Sequence, residues 1–89
     1  MPSYLALVNW TEQGIKNVKD SPKRLEQAGG RMIFFYMTMG QYDLVTLYEV
    51  SNDEAAARIS LQLGIGGNVR TTTLKAFTED EYKKIVGSL

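Results

Sequence analysis

Tyr42 and Asp43 are the first candidates for chemistry, because they open a predicted strand directly after a tight turn at Gly40 and Gln41. A carboxylate in this position can act as a general base or accept hydrogen bonds from a ligand. It can equally accept hydrogen bonds from nearby backbone amides and hold the hairpin in shape, with Tyr42 packed beside it. At the level of sequence, both interpretations stay open.

Asn9 is the second candidate, because it is a polar side chain on an otherwise apolar strand face. A buried polar group needs a hydrogen-bond partner. It can belong to a small apolar pocket with a few convergent polar groups. The other predicted members of such a pocket lie on several strands, and their meeting depends on which strand faces coincide: Trp10, Tyr36, Tyr48 and Arg70. The alternative is that Asn9 lies at the strand end and that the start of the next helix satisfies the hydrogen-bonding groups of its side chain.

Composition removes several classes of function. The 89 residues include no Cys and no His, so thiolate chemistry, Cys-based metal sites and the commonest general base are excluded. We expect no metal and no cofactor. Lys plus Arg and Asp plus Glu both number 10, and this balance argues against a nucleic-acid partner, which requires a basic surplus.

Acid–base work in this chain would fall to Asp43, Glu49 or Tyr36. Asp43 and Glu49 are separated by roughly 20 Å along an extended strand, too far for a paired acid and base. We expect Arg70 to neutralise one of these two carboxylates as a structural ion pair. The start of the chain has no basic segment of a signal peptide and no apolar run approaches about 20 residues, so we expect a cytoplasmic protein that does not enter the membrane.

Hydrophobic patterning and turn residues predict a single domain over residues 1–89. The predicted strands cover 3–10, 31–39, 42–50 and 68–77. A two-part helix is expected over 11–28, with a restart at Ser21 and Pro22 and an end at Gly29 and Gly30. The order is β-α-β-β-α-β with a short C-terminal helix, which predicts an α+β, ferredoxin-like βαββαβ sandwich.

Two capping boxes mark the starts of the later helices. Ser51 with Glu54 predicts one helix start, and Gly64 predicts the end of that helix. Thr78 with Glu81 predicts the start of the C-terminal helix.

The predicted strands are apolar on both faces, whereas helices cover only one face of such a sheet. A bare apolar face of several hundred Å² is unusual on a soluble monomer. We therefore expect a homodimer or higher homo-oligomer built through this face. The alternative is a monomer that closes the face with its own C-terminal helix, for which residues 78–89 are short.

Several segments, in order, resemble the GYD domain family, and the resemblance spans nearly the whole chain. They are residues 7–14 (LVNWTEQG), 20–24 (DSPKR), 40–43 (GQYD), 67–71 (GNVRT) and 76–78 (AFT). The resemblance implies a ferredoxin-like domain of the dimeric α+β-barrel type and little about activity. Similar sequences have a longer helix after Arg24, where only residues 25–28 remain here. The hairpin is also similar to one in the ligand-binding domains of Lrp/AsnC-type regulators, which is an analogy of fold.

We expect a small homo-oligomeric domain that binds a small organic ligand or acts as an accessory or regulatory module. Dimeric α+β barrels include monooxygenases and isomerases, so the resemblance also allows a cofactor-free enzyme. A purely structural oligomer is the third possibility. An enclosed pocket beside a titratable group would favour the enzyme, and a pocket without one would favour the binding module.

Overall fold

A computed structural model describes residues 1–20 and 30–89. The elements follow the order β1 (Ser3–Trp10), α1 (Glu12–Lys16), β2 (Arg31–Met37), β3 (Leu44–Glu49), α2 (Asp53–Gly66), β4 (Val69–Ala76) and α3 (Glu79–Gly87). The four strands form one sheet in the order β2-β3-β1-β4, and all neighbours are antiparallel. This is the ferredoxin-like α+β arrangement, and the predicted fold class is confirmed.

The first helical segment is only partly described. Thr11 is the N-cap of α1, and its hydroxyl accepts a hydrogen bond from the Gly14 amide at 3.0 Å. A 3₁₀ turn at Val18–Asp20 follows α1. The predicted helix restart at Ser21 and its end at Gly29 lie outside the described residues.

The hairpin between β2 and β3 is wider than the sequence predicts. β2 ends at Met37 rather than residue 39, and β3 begins at Leu44 rather than residue 42. The Thr38 side chain donates to the Tyr42 carbonyl at 2.5 Å, and the Thr38 amide donates to the Asp43 carbonyl at 2.7 Å. One side-chain bond and one backbone bond of Thr38 therefore close the hairpin beyond the regular ladder.

The bounds of α2 correct two further predictions. Asn52, not Ser51, is the N-cap, since its side chain accepts from the Ala55 amide at 2.8 Å. Glu54 is then one position too early for a capping box, and it pairs with Arg58 at 3.3 Å instead. The helix also continues past Gly64 to Gly66. It ends only where Gly67 adopts a left-handed φ of 77°, the conformation that closes helices and favours glycine.

One face of the sheet carries the core, and α2 packs on it. Alternate residues of β1 and β3 are buried here, together with Ala56 of α2, and the cluster consists of Tyr4, Ala6, Val8, Leu44, Tyr48, Val50 and Ala56. Thr46 is a buried polar residue of this face, and its hydroxyl donates to the Phe34 carbonyl at 2.9 Å. The buried hydroxyl is thereby satisfied, as burial requires.

The opposite face of the sheet, which we call the open face, is covered by none of the helices that the structure describes. Its apolar members come from all four strands: Leu5, Leu7, Phe34, Val45, Leu47 and Leu74. Its polar members are Ser3, Asn9, Arg31, Tyr36, Glu49, Arg70 and Thr72. Strict alternation along β2 would place Met32 on the same face as Phe34, but a bulge between them shifts the register and places Met32 opposite Tyr48 on the core face.

Candidate functional site

Asp43 joins the hairpin to the end of β1. Its carboxylate accepts a hydrogen bond from the Trp10 amide at 2.9 Å, and its own amide donates to the Val8 carbonyl at 2.9 Å. Its carbonyl accepts from Thr38 at 2.7 Å. Asp43 therefore forms hydrogen bonds with backbone atoms of two separate segments, the end of β1 and Thr38. Asp43 is half-buried, as is Tyr42 directly before it. This geometry supports the structural interpretation of Asp43 over a role as a free base.

Asn9 and Arg70 are direct cross-strand neighbours on the open face. Neither side chain forms a hydrogen bond or ion pair with another residue that the structure describes. Tyr36 shares the face and is 63% exposed, but it lies on β2 at the opposite edge of the sheet. Three strand spacings separate that edge from β4, roughly 14 Å. The structure thus brings Asn9 and Arg70 together and leaves Tyr36 apart.

The other two predicted pocket residues belong to the core face. Tyr48 is buried and Trp10 packs against the core. Tyr48 Oη and Trp10 Nε1 are both buried without a partner in hydrogen-bond geometry among the described residues. Burial raises the pKa of Tyr48, and the nearby hydroxyls of Ser60 and Thr73 offset part of that rise. Tyr48 and Trp10 therefore cannot line one pocket with Asn9, because the sheet separates them.

Glu49 also differs from its predicted role. Its carboxylate pairs with Arg31 of β2 at 3.6 Å, rather than with Arg70. The register places Ser3 opposite Glu49 and Asn9 opposite Arg70, so Glu49 and Arg70 lie at opposite ends of the sheet. Sequence order alone could not show this, because it depends on how the strands pair.

A hydrogen-bonded group that the sequence did not reveal fastens α2 to the sheet. The Tyr4 hydroxyl donates to Asp53 at the start of α2, and Lys75 of β4 approaches the same carboxylate at 3.3 Å. Burial, followed by the bond to Asp53, raises the pKa of Tyr4 to about 12. The same bond, reinforced by Lys75, lowers the pKa of Asp53. Sequence offers no spacing signal for three residues so far apart.

A second junction joins α1 to the loop between α2 and β4. The Thr11 amide donates to the Asn68 carbonyl at 3.0 Å, and the Thr11 hydroxyl donates to the Gly67 carbonyl at 2.6 Å. The Gln13 side chain donates to the Gly66 carbonyl at 3.0 Å. Both sides of this junction fall in segments that carry the family resemblance, and that is the signal through which it could have been found.

Gly14 makes this junction possible. It is buried, and a Cβ atom built on it would lie 1.8 Å from the Asn68 carbonyl oxygen. Only a residue without a side chain lets the helix backbone approach this closely.

α3 is a well-capped helix on which no residue is buried. Thr78 and Glu81 form the predicted capping box, which is confirmed, with bonds of 2.8 and 3.1 Å. The Thr78 amide, followed by its hydroxyl, lowers the pKa of Glu81. The helix carries Tyr82, Ile85 and Val86 at a spacing that places them on one side, and all three are exposed.

A shallow, open depression with a volume of about 470 Å³ lies between the starts of β2 and α2. None of the predicted site residues lines it; Arg31, Val50, Arg58 and Ile59 do. Over residues 1–20 and 30–89, no three acidic side chains converge as a metal site would require. Within the same ranges, no helix has the length and apolarity to span a membrane.

Solved structures of two regulatory proteins share this fold. The feast or famine regulatory protein of M. tuberculosis, complexed with L-methionine, superimposes with a TM-score of 0.70 at 20% identity, over 88% of this chain and 51% of that chain. A leucine response regulatory protein of Mycobacterium tuberculosis gives 0.68 at 21% identity, over 86% and 51%. The chain thus spans about half the length of these regulators, and the likeness is one of fold.

Relatives of similar length come from Thermus thermophilus. A protein named glutamine synthetase and cystathionine beta-lyase binding protein is 30% identical over 84 residues, which cover 85% of this chain and 88% of the relative. A crystal structure of a protein from the same organism has a TM-score of 0.61 at 25% identity, over 88% of this chain and 95% of that one. The sequence profile of the GYD domain matches residues 4–86. The chain therefore belongs to the GYD domain family.

Proposed function

We propose that this chain is a homo-oligomeric accessory module, which pairs through its open face and presents its remaining surface to a partner enzyme. The observation that carries the proposal is the open face itself. Six apolar side chains from four strands lie on it, and no described helix covers them. Leu74 is 46% exposed and Phe34, Val45 and Leu47 are only partly covered by their neighbours.

The size of this face agrees with pairing of two copies. Four strands spaced about 4.8 Å apart, each about 23 Å long, give a flat area of roughly 450 Å². That is comparable to the largest patch of a typical monomer, about 300–600 Å², which often marks an interaction site. Because the same patch exists on each copy, a two-fold axis satisfies both at once.

A substitution at the centre of the face tests the pairing. Leu47 lies on the central strand β3, half-buried, so Leu47→Glu puts a charge into the proposed interface. Leu61→Glu is the matched control, because Leu61 is 69% exposed on α2, outside the open face. We expect sedimentation equilibrium to give an oligomer for the wild type and for Leu61→Glu, and a 10.0 kDa monomer for Leu47→Glu. A monomeric wild type at high micromolar concentration would refute the pairing.

The accessory role rests on the Thermus relative, whose name states that it binds two enzymes. Glutamine synthetase and cystathionine beta-lyase are therefore the partners to test first, as purified proteins from the source of this chain. Biolayer interferometry with immobilised oligomer measures the affinity directly, and Leu47→Glu reports whether the assembled form is required. No binding of either enzyme by the assembled oligomer would remove the support that the relative gives.

A small organic ligand is the second candidate, favoured by the pairing of Asn9 with Arg70. An amide and a guanidinium without described partners on an apolar face can bind a carboxylate. L-Methionine is the natural first probe, since a regulatory protein of the same fold has been solved in complex with it. We expect L-methionine to raise the melting temperature of the wild type and of Arg58→Gln, but not that of Arg70→Gln. An equal rise in the wild type and both variants would contradict this site.

The cofactor-free enzyme is supported less well. The Asp43 carboxylate already accepts from the Trp10 amide, and Glu49 pairs with Arg31 at the other end of the sheet. The two carboxylates that the sequence offered for acid–base work thus serve separate structural contacts.

A further inference from the structure

The residues of the open face form rows that cross all four strands. In the strand order β2, β3, β1 and β4, the first row consists of Phe34, Leu47, Leu5 and Leu74, and the second of Tyr36, Val45, Leu7 and Thr72. Both rows are apolar except at the two edges of the second row. Asn9 and Arg70 lie one step beyond the second row, at the same end of the sheet.

Two copies that stack these faces can be related by an axis parallel to the strands. Packed sheets keep their strand directions within about 30° unless strands bend from one sheet into the other, which two separate chains do not provide. An axis parallel to the strands places β4 over the partner's β2, with the rows in step. Leu74 then lies over the partner's Phe34, and Thr72 lies over the partner's Tyr36. Apolar side chains thus meet apolar side chains, and one hydroxyl meets another.

An axis that crosses the strands matches the two faces less well. It places β4 over the partner's β4 in the reverse direction, so Leu74 lies over the partner's Thr72. Arg70 then faces the methyl group of the partner's Ala76, which offers no hydrogen-bond acceptor. A guanidinium that loses water there without gaining an acceptor destabilises the pair. The arrangement of the rows therefore favours the axis parallel to the strands.

This orientation returns Tyr36 to the neighbourhood of Asn9 and Arg70, from which the sheet separates it within one chain. Packed sheets lie about 10 Å apart, and one row along a strand is about 7 Å, so the Cα atoms of Arg70 and the partner's Tyr36 would be about 12 Å apart. Both side chains are long, and their polar ends can therefore bind the same small group from opposite sides. The ring of Phe34, 5.3 Å from that of Tyr36 between centroids, supports the tyrosine from its own strand.

We propose that the open faces pair about an axis parallel to the strands, and that Asn9 and Arg70 of one subunit bind a carboxylate together with Tyr36 of the partner subunit. The guanidinium, the amide and the phenol would all donate hydrogen bonds to the carboxylate. Leu7 and Val45, in the row beside them, suit a ligand whose remaining part is apolar. This inference rests on the proposed pairing, and it makes the ligand site a property of two subunits.

Thiol crosslinking tests the orientation, because the chain has no Cys. We expect a short bis-maleimide that spans about 10 Å, the separation of packed sheets, to convert Tyr36→Cys/Thr72→Cys into a covalent dimer. The single variants Tyr36→Cys and Thr72→Cys should stay monomeric on a denaturing gel. Crosslinking of Thr72→Cys without Tyr36→Cys would mean that β4 lies over β4, and it would overturn the orientation.

Titration calorimetry with L-methionine tests the shared site. We expect Tyr36→Phe, which removes only the hydroxyl, to bind at least tenfold more weakly than the wild type. Tyr82→Phe, a matched change on α3 outside the open face, should bind within twofold of the wild type. L-Methioninamide, which lacks the carboxylate, should not bind.

Mixed dimers show whether the two residues act from different subunits. An equal mixture of Arg70→Gln and Tyr36→Phe, unfolded and refolded together, should recover the wild-type affinity in about one quarter of its sites. Half of its dimers are mixed, and each mixed dimer has one intact site and one doubly altered site. If both residues acted within one chain, no site in the mixture would be intact.

The outcomes separate this inference from the proposed pairing. A monomeric wild type overturns both. A dimer that does not crosslink in the double variant, or that crosslinks through Thr72→Cys by itself, overturns the orientation and leaves the pairing of open faces intact. A dimer that does not bind L-methionine, or whose mixture shows no recovery, overturns the shared site. Support requires the crosslink of the double variant together with recovery in the mixture.

Discussion

Replacement of Gly14 by alanine is the most direct test of how α1 is held against the rest of the domain. The new Cβ would lie 1.8 Å from the Asn68 carbonyl oxygen and 2.7 Å from its carbon. Real Cβ atoms stay beyond 3.0 Å, so the two backbones must separate by at least 3.0 minus 1.8, or 1.2 Å. Both of the Asn68 atoms that the new Cβ would meet belong to the backbone, so no side chain can rotate away to relieve the clash.

That movement breaks the junction between α1 and the loop before β4. The Asn68 carbonyl accepts from the Thr11 amide at 3.0 Å, and the Gln13 bond to Gly66 crosses the same gap. Overpacking costs about 1–3 kcal/mol. Each lost hydrogen bond adds roughly 1 kcal/mol. The higher helix propensity of alanine offsets up to about 1 kcal/mol of this loss of stability. We expect Gly14→Ala to lower the free energy of unfolding by about 3 kcal/mol.

Gly64→Ala is the matched control. Gly64 also lies inside a helix, but nothing stands within 4 Å of the position its Cβ would take. We expect that variant to gain about 0.5–1 kcal/mol from helix propensity. Thermal unfolding by circular dichroism, at one fixed protein concentration, should show a melting temperature roughly 12–24 °C lower for Gly14→Ala than for the wild type. Equal or higher stability of Gly14→Ala would refute the close contact and the reasoning built on it.

Two further predictions concern carboxylates. Asp43→Asn should lose about 1–2 kcal/mol in urea denaturation, because a neutral acceptor replaces a charged one at the Trp10 amide, and a loss under about 0.5 kcal/mol would argue against that bond. Asp53 has a lowered pKa in the folded protein through its bond to Tyr4, so its stabilisation is present above its ordinary value of 3.8 and is lost as pH falls through the folded pKa. The melting temperature of Asp53→Asn should therefore fall less steeply below about pH 4 than that of the wild type. Identical curves of melting temperature against pH in this range would contradict the stabilising role of the Asp53 carboxylate.

Local sequence signals predicted most of the elements. The capping box at Thr78 and Glu81, the start of α1 at Thr11 and the strand of residues 3–10 depend on residues near one another in the chain. Their physical causes, side-chain caps and alternation of apolar residues, act over a few positions. The start of α2 was predicted one residue too early, at Ser51, whereas the Asn52 side chain caps the helix.

The candidate site was predicted less well, because its members come from different strands. The sequence identified Asn9 and Arg70 as polar residues, but only the register of β1 with β4 makes them neighbours. The same register places Tyr48 and Trp10 on the core face, away from them. Strand alternation divides residues into two sets, and only packing of α2 decides which set becomes the core.

What the sequence determined by itself is the element order, the apolar character of both sheet faces and the absence of Cys and His chemistry. These follow from residue types and short-range spacing. Tertiary structure alone decided that Asp43 accepts from the Trp10 amide, that Asp53 joins Tyr4 to Lys75, and that Gly14 meets Asn68. Each of these contacts joins segments far apart in the chain, and their distances arise only when the sheet brings those segments together.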